Sequence, residues 1–148
     1  MSTSIIYFSR TGRTKEISNE LANQMEGSVY ELKDDKNWNG FIGFIKAGFY
    51  ASSDKDVNIT YDPSCLASDQ LIILSPIWAG VPTPAVRKFI NEIQHDHMTL
   101  VLTNAGSNIN KAIKAAKSQY TSVEHFFGIT RRLDNSEDVI KTIVQTLK

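Results

Sequence analysis

The sequence predicts an α/β fold, a three-layer doubly wound sheet of five parallel strands. Three observations carry that expectation. Strand-like apolar runs alternate with amphipathic helical patterns along the chain. The run 70–74 (Gln-Leu-Ile-Ile-Leu) is almost continuously apolar, as a strand covered on both faces must be. The first apolar run passes through a short hydroxyl-rich loop with one glycine directly into a helical pattern. In sheets of this kind ligands bind beyond the carboxyl ends of the strands, where the strand order reverses.

Taken in order, Ile5-Ile6-Tyr7-Phe8 reads as a buried strand. After Thr14, the residues Ile17, Leu21 and Met25 recur at i, i+4 and i+8 and mark a helix. Residues 28–32 alternate as a second strand, and 34–37 break the pattern. Trp38, Phe41, Ile42, Phe44, Ile45, Phe49 and Tyr50 then crowd a stretch that also holds Gly40, Gly43 and Gly48. The spacing 41, 45, 49 predicts a helix packed flat on the sheet, with an aromatic cover near a ligand as the other reading. Residues 52–68 are polar and loop-like, with a short strand at 57–60. The third strand is 70–74, and 75–84 reads as a loop containing Pro76, Gly80, Pro82 and Pro84. A helix follows, with Val86, Phe89, Ile90 and Ile93 on one face. Residues 98–103 form the fourth strand, 104–110 a loop, 112–118 a helix and 123–129 the fifth strand. Asn135 or Ser136 caps a last helix whose Val139, Ile143 and Leu147 share a face, and Glu137 and Asp138 suit its dipole.

Composition narrows the function. With 148 residues, 41% hydrophobic and 22% charged, the chain is expected to form one domain with its own core. The formal net charge is zero, so neither nucleic acid nor an anionic membrane surface is implied. No window approaches the run of about 18 apolar residues that a membrane span needs. The single cysteine, Cys65, excludes an internal disulfide and a cysteine-rich metal centre and fits a reducing, cytoplasmic setting.

The loop after the first strand, Ser9-Arg10-Thr11-Gly12-Arg13-Thr14, reads as a phosphate cradle. A helix N-terminus offers unpaired backbone N–H groups and a dipole that favours negative charge. Ser9, Thr11 and Thr14 can add hydroxyls, Gly12 a tight turn, and Arg10 and Arg13 positive charge, the arginines directed outward. The plainer reading is a helix cap, since all three hydroxyl residues are capping types. Right-handed crossovers bring the loops 9–14, 75–84 and 103–110 to one edge of the sheet.

Those three loops resemble the flavodoxin family. Residues 9–14 match its phosphate loop, hydroxyl-x-Thr-Gly-x-Thr. Ser75-Pro76-Ile77-Trp78-Ala79-Gly80, followed by Pro82 and Pro84, looks like the loop on which the flavin ring rests. Thr103-Asn104-Ala105-Gly106 stands where a third loop closes the ring edge. The likeness runs the length of the chain, in the short form without a large insertion in the last strand. It implies the strand order 2-1-3-4-5, FMN as cofactor, and cofactor contacts from 9–14, 76–80 and 103–106. Trp78 would stack on the flavin, and the Ala79–Gly80 peptide would turn toward flavin N5–H on reduction, a motion that Gly80 makes sterically cheap. The backbone of 104–106 would bond the pyrimidine edge, while Asn108 and Asn110 read as helix caps.

The sequence departs from electron-carrying flavodoxins in charge. Those are strongly acidic, whereas this chain is neutral, and neither 75–84 nor 104–110 contains an acid. Without carboxylates to oppose a negative ring, the second reduction step is expected to be easier here. Lys88, Lys111 and Lys114 flank the same edge and suit a neutral or anionic partner. The resemblance implies an electron carrier working between redox partner proteins or toward a small-molecule electron acceptor. The alternative is an FMN-dependent oxidoreductase of a quinone-like or tetrapyrrole-like substrate. No residue is assigned as catalytic or as a metal ligand.

Other proteins with this alternation are disfavoured by what is missing. A receiver domain needs an acidic pair after the first strand and an aspartate closing the third, where this chain has Ser9-Arg10 and Ser75. A small tyrosine phosphatase needs a cysteine in its phosphate loop, and Cys65 is far from one. Neither a nucleotide-binding Gly-x-x-x-x-Gly-Lys nor a Gly-x-Ser-x-Gly occurs. His95 and His97 read as surface residues at the end of a helix, and His125 as a structural residue of a strand.

Overall fold

The structure, a computed structural model, describes residues 1–35, 57–106, 109–131 and 135–148. The aromatic stretch 38–51 and Asn108 lie outside the described residues.

Strand β1 (Thr3–Tyr7) is buried along its whole length, as its apolar run requires. It is flanked by β2 (Ser28–Glu31) on one side and β5 (Gln70–Trp78) on the other, with β7 (Met98–Asn104) and β8 (His125–Thr130) beyond β5. All four pairings are parallel. The path β2-β1-β5-β7-β8 is the order 2-1-3-4-5 once the five long strands are counted in sequence. The order reverses between β1 and β5, so the crevice for a ligand lies beyond their carboxyl ends.

Side chains alternate across this sheet and build two cores. Ile6, Phe8, Leu71, Ile73, Leu100 and Leu102 face one side and pack with Val86, Phe89 and Ile90 of α2 (Pro84–Glu92) and Ala112 and Ala116 of α3 (Ile109–Gln119). Ile5, Tyr7, Ile72, Leu74 and Val101 face the other, against Ile17 and Leu21 of α1 (Arg13–Met25) and Ile140 and Ile143 of α4 (Ser136–Leu147). Ile5, Ile6, Ile72, Ile73 and Leu100 are all 0% exposed. Each such side chain contributes about 1.5–3 kcal/mol by burial, which makes the sheet centre the rigid platform for its edge loops.

Four local expectations need correction. The third strand does not stop at Leu74. It continues to Trp78, turns at Ala79–Gly80 and returns as β6 (Val81–Pro82), antiparallel, with Ile77 opposite Pro82 and Trp78 opposite Val81. Pro82 is tolerated because it sits on a short edge strand. Asp34 does not break the pattern but ends β3 (Lys33–Asp34), which pairs antiparallel with β4 (Ile59–Thr60), apart from the main sheet, while 36–37 lie outside the described residues. Asn110 lies inside α3 and does not cap it. Asn135 occupies the N-cap of α4, but its side chain makes no capping bond and instead accepts from the Thr130 N–H at 2.9 Å. Among the described residues, no helix is long and apolar enough to cross a membrane.

Candidate functional site

The chain leaves β1 through Phe8, whose N–H still donates to Leu74 O at 3.1 Å. Residues 9–12 then form a compact loop in which the Gly12 N–H donates to Ser9 Oγ at 2.9 Å. Gly12 is the N-cap of α1, with φ 95° and ψ −13°. That left-handed backbone is open to glycine at little cost and strains a residue with a Cβ. Glycine has no side chain to cap with, so neither Ser9, Thr11 nor Thr14 occupies the N-cap position. The first intrahelical bond runs from the Glu16 N–H to Gly12 O at 3.0 Å. The amides of Arg13, Thr14 and Lys15 therefore have no partner within the helix and carry its positive dipole end.

Beside this N-terminus lies a groove of about 240 Å³. Thr11 lines it from the first loop, Arg13 and Thr14 from the start of α1, Pro76 and Ile77 from β5, Thr103 and Asn104 from β7 with Ala105 just past it, and Arg131 just past β8. Thr14 and Thr103, each 3% exposed, face each other with their hydroxyls 3.1 Å apart and tie α1 to β7. Arg13 does not point outward as the sequence reading has it. Its Nε and Nη2 are buried and meet no hydrogen-bond partner among the described residues. Among the described residues no acidic side chain lines the groove.

Eight of the fifteen residues named from the sequence are thus gathered in one groove, and Ser9, Arg10, Gly12, Trp78, Ala79, Gly80 and Gly106 are not among its lining. Ser9 and Gly12 shape the loop from within through their own hydrogen bond. Trp78 is half-buried and packs edge-to-face on Phe8, with ring centroids 5.6 Å apart and planes at 81°. That contact places it at the rim of one core cluster, between a core tryptophan and a free stacking platform.

The hairpin holding 76–80 is closed from behind. Ser75 Oγ accepts from the Thr83 N–H at 3.0 Å and lies 3.2 Å from Thr83 Oγ1, and both residues are 0% exposed. Thr83 is the N-cap of α2 and Pro84 follows in its first turn, where a missing N–H is harmless. At the tip, Ala79 and Gly80 have φ of 52° and 82°. Two central residues with positive φ between paired flanking residues form a type I′ turn. Rotating the Ala79–Gly80 peptide by half a turn would put Ala79 in the first central position of a type II′ turn, a place for glycine. Resistance to that motion therefore sits at Ala79, while Gly80 offers none.

Arg131 is the groove residue that sequence reasoning missed. The sequence brings three loops to this edge by their motifs, and the fourth, after the last strand, carries no motif of its own. The available signal was positional: Thr130 pairs with Asn104, so the residue after it must reach the same edge.

A second cavity, of about 190 Å³, opens at the opposite edge, where strands begin, and includes Gln70, His97, Glu124 and His125. His95 and His97 lie beyond α2, not on its last turn. His95 Nε2 is 2.7 Å from Ser68 O, and His97 Nδ1 is 2.7 Å from Glu124 Oε1. Among the described residues no group of three His, Cys, Asp or Glu side chains could hold a metal ion.

No protein-family model matches this chain, and no curated protein matches it. Solved structures do share its fold. A protein of Bacteroides uniformis, provisionally described as a flavoprotein, superposes with a TM-score of 0.79 at 21% identity, covering 96% of this chain and 97% of the other. A flavoprotein of Lactobacillus acidophilus, solved in complex with FMN, gives 0.73 at 18% identity, covering 93% and 97%. A flavodoxin from the domain Archaea gives 0.51 at 12% identity, covering 99% and 98%. At these identities the likeness defines the fold, which is flavodoxin-like.

Proposed function

We propose that this chain binds FMN at the carboxyl edge of its sheet and carries electrons between redox partner proteins. The observation that carries the reading is the glycine-led N-terminus of α1 beside a groove that Arg13 also lines, an arginine whose Nε and Nη2 meet no acceptor among the described residues. A donor set of threonine hydroxyls, first-turn amides and a guanidinium suits a phosphate. Pro76, Ile77 and Ala105 give the same groove an apolar wall for the rest of the ligand. The complex of the Lactobacillus acidophilus neighbour with FMN supports the choice of cofactor.

Bound there, FMN would supply reversible uptake of one or two electrons. The chain's residues would do the rest. Thr11, Arg13 and Thr14, with the loop fixed by Ser9 and Gly12, would hold the phosphate. Trp78, Ala79 and Gly80 would border the ring on one side, and Thr103 to Gly106 on the other. Arg10 would add charge at the rim.

A second reading is an FMN-dependent oxidoreductase of a quinone-like or tetrapyrrole-like substrate. It is favoured by a groove lining that, among the described residues, has two arginines and no acid, a setting friendly to a negatively charged ligand. Stepwise anaerobic reduction of the FMN-loaded protein separates the two. Uptake of electrons in two resolved one-electron stages is expected of the carrier. A single two-electron stage, with turnover of a quinone, would replace it with the enzyme.

A further inference from the structure

We propose that Arg131 selects the ligand by its phosphate, closing on the dianion from the side opposite Arg13. The inference rests on the FMN reading above and deepens it. Arg131 is the first residue past β8, and its position is fixed locally. Thr130 is in register with Asn104, and the Thr130 N–H donates to Asn135 Oδ1 at 2.9 Å, which ties the end of β8 to the start of α4. Arg131 thus stands one step beyond Asn104, on the groove that Thr11 of the first loop and Arg13 and Thr14 of α1 also line.

Two guanidinium groups on one groove of about 240 Å³ are an unfavourable pair when nothing lies between them. Arginine keeps its charge at every accessible pH, so neither can escape by losing a proton. Among the described residues no carboxylate lines the groove to neutralise them. Arg13 has in addition two nitrogens shielded from water without an acceptor among the described residues, a costly state for donors. An anion between the arginines relieves their mutual repulsion. The positive charge offered is that of two guanidinium groups plus about half a charge from the helix dipole. That is enough to balance a phosphomonoester, which carries about −1.5 to −2 near neutrality. The planar guanidinium fork also meets two phosphate oxygens at once, which an ammonium cannot do. Arg131 is exposed, so its share is open to screening by salt.

The test compares Arg131→Gln and Arg131→Lys with the wild type in equilibrium titrations with FMN and with riboflavin, which lacks the phosphate, at several salt concentrations. Arg131→Gln is expected to weaken FMN about tenfold, leave riboflavin unchanged, and flatten the salt dependence for FMN. Arg131→Lys should recover part of the loss, because it restores the charge without the fork. An unchanged FMN affinity in Arg131→Gln, or equal weakening of both flavins, would overturn the proposal. A second arm uses inorganic phosphate alone. It should raise the melting temperature of the wild type and raise that of Arg131→Gln less. Equal protection of the two, or protection of neither, contradicts the role of Arg131. If the wild type binds neither flavin, the FMN reading falls and the phosphate arm alone decides on Arg131.

Discussion

Replacing Thr14 and Thr103 by valine, singly and together, probes how the helix of the phosphate loop is held to the sheet. The hydroxyls are 3.1 Å apart and both residues are 3% exposed. Valine keeps the shape and deletes the hydroxyl. A single substitution leaves the remaining hydroxyl buried and without its partner, which costs about 1–3 kcal/mol. Substituting both removes the bond and the stranded group together, a change that can be nearly neutral. Each single variant is therefore expected to lose about 1.5 kcal/mol, and the double variant about the same or less, a coupling of at least about 1.5 kcal/mol. For a chain of this size a single loss corresponds to a fall in melting temperature of about 3–6 °C. Urea unfolding of the four proteins measures the cycle. Losses that add to within about 0.5 kcal/mol would refute the claim that the two hydroxyls hold each other.

Gly12→Ala adds a methyl that meets no atom within 4 Å, so its cost is conformational alone. Left-handed strain of about 1–2 kcal/mol, less about 0.4–1 kcal/mol from a stiffer unfolded chain, leaves a net loss of about 1 kcal/mol by urea unfolding. An unchanged midpoint would mean that the loop does not need its positive φ. Ser75→Ala strands the Thr83 N–H in a fully buried place and should cost about 1–3 kcal/mol, and calorimetry showing no loss would contradict the closed hairpin. Cys65 is 0% exposed, and burial, aided by the charge of Asp62, pushes its thiol above the ordinary range. Ellman's reagent should therefore react only as fast as the structure opens. The folded thiol keeps its proton longer than the unfolded one, so this group lowers stability as pH rises past the unfolded thiol's pKa. Rapid labelling in native buffer would show that the thiol is accessible.

The long strands and helices were legible because each carries one clear period. Ile17, Leu21 and Met25 mark α1, and all three are buried. The continuous run at 70–74 marks a strand covered on both faces. The hairpin 75–82 was not legible, because Pro76, Gly80 and Pro82 look like loop punctuation. Only an edge position, a type I′ turn and the Ser75–Thr83 closure make them a strand extension. The β3–β4 pair joins segments far apart in sequence, and no local pattern announces such a partner. In the groove, the hydroxyl loop announced itself by composition, whereas the direction of Arg13 is set by packing. Arg131 follows from register with β7, which exists only once the sheet has formed.

The central claim is that the groove beside Gly12 receives FMN. A calorimetric titration of the purified, flavin-free protein with FMN tests it most directly. Saturable binding of one FMN per chain is expected, weaker for riboflavin, and weakened for FMN by Gly12→Ala. Heats indistinguishable from dilution at millimolar FMN, or equal affinity for FMN and riboflavin, would contradict it.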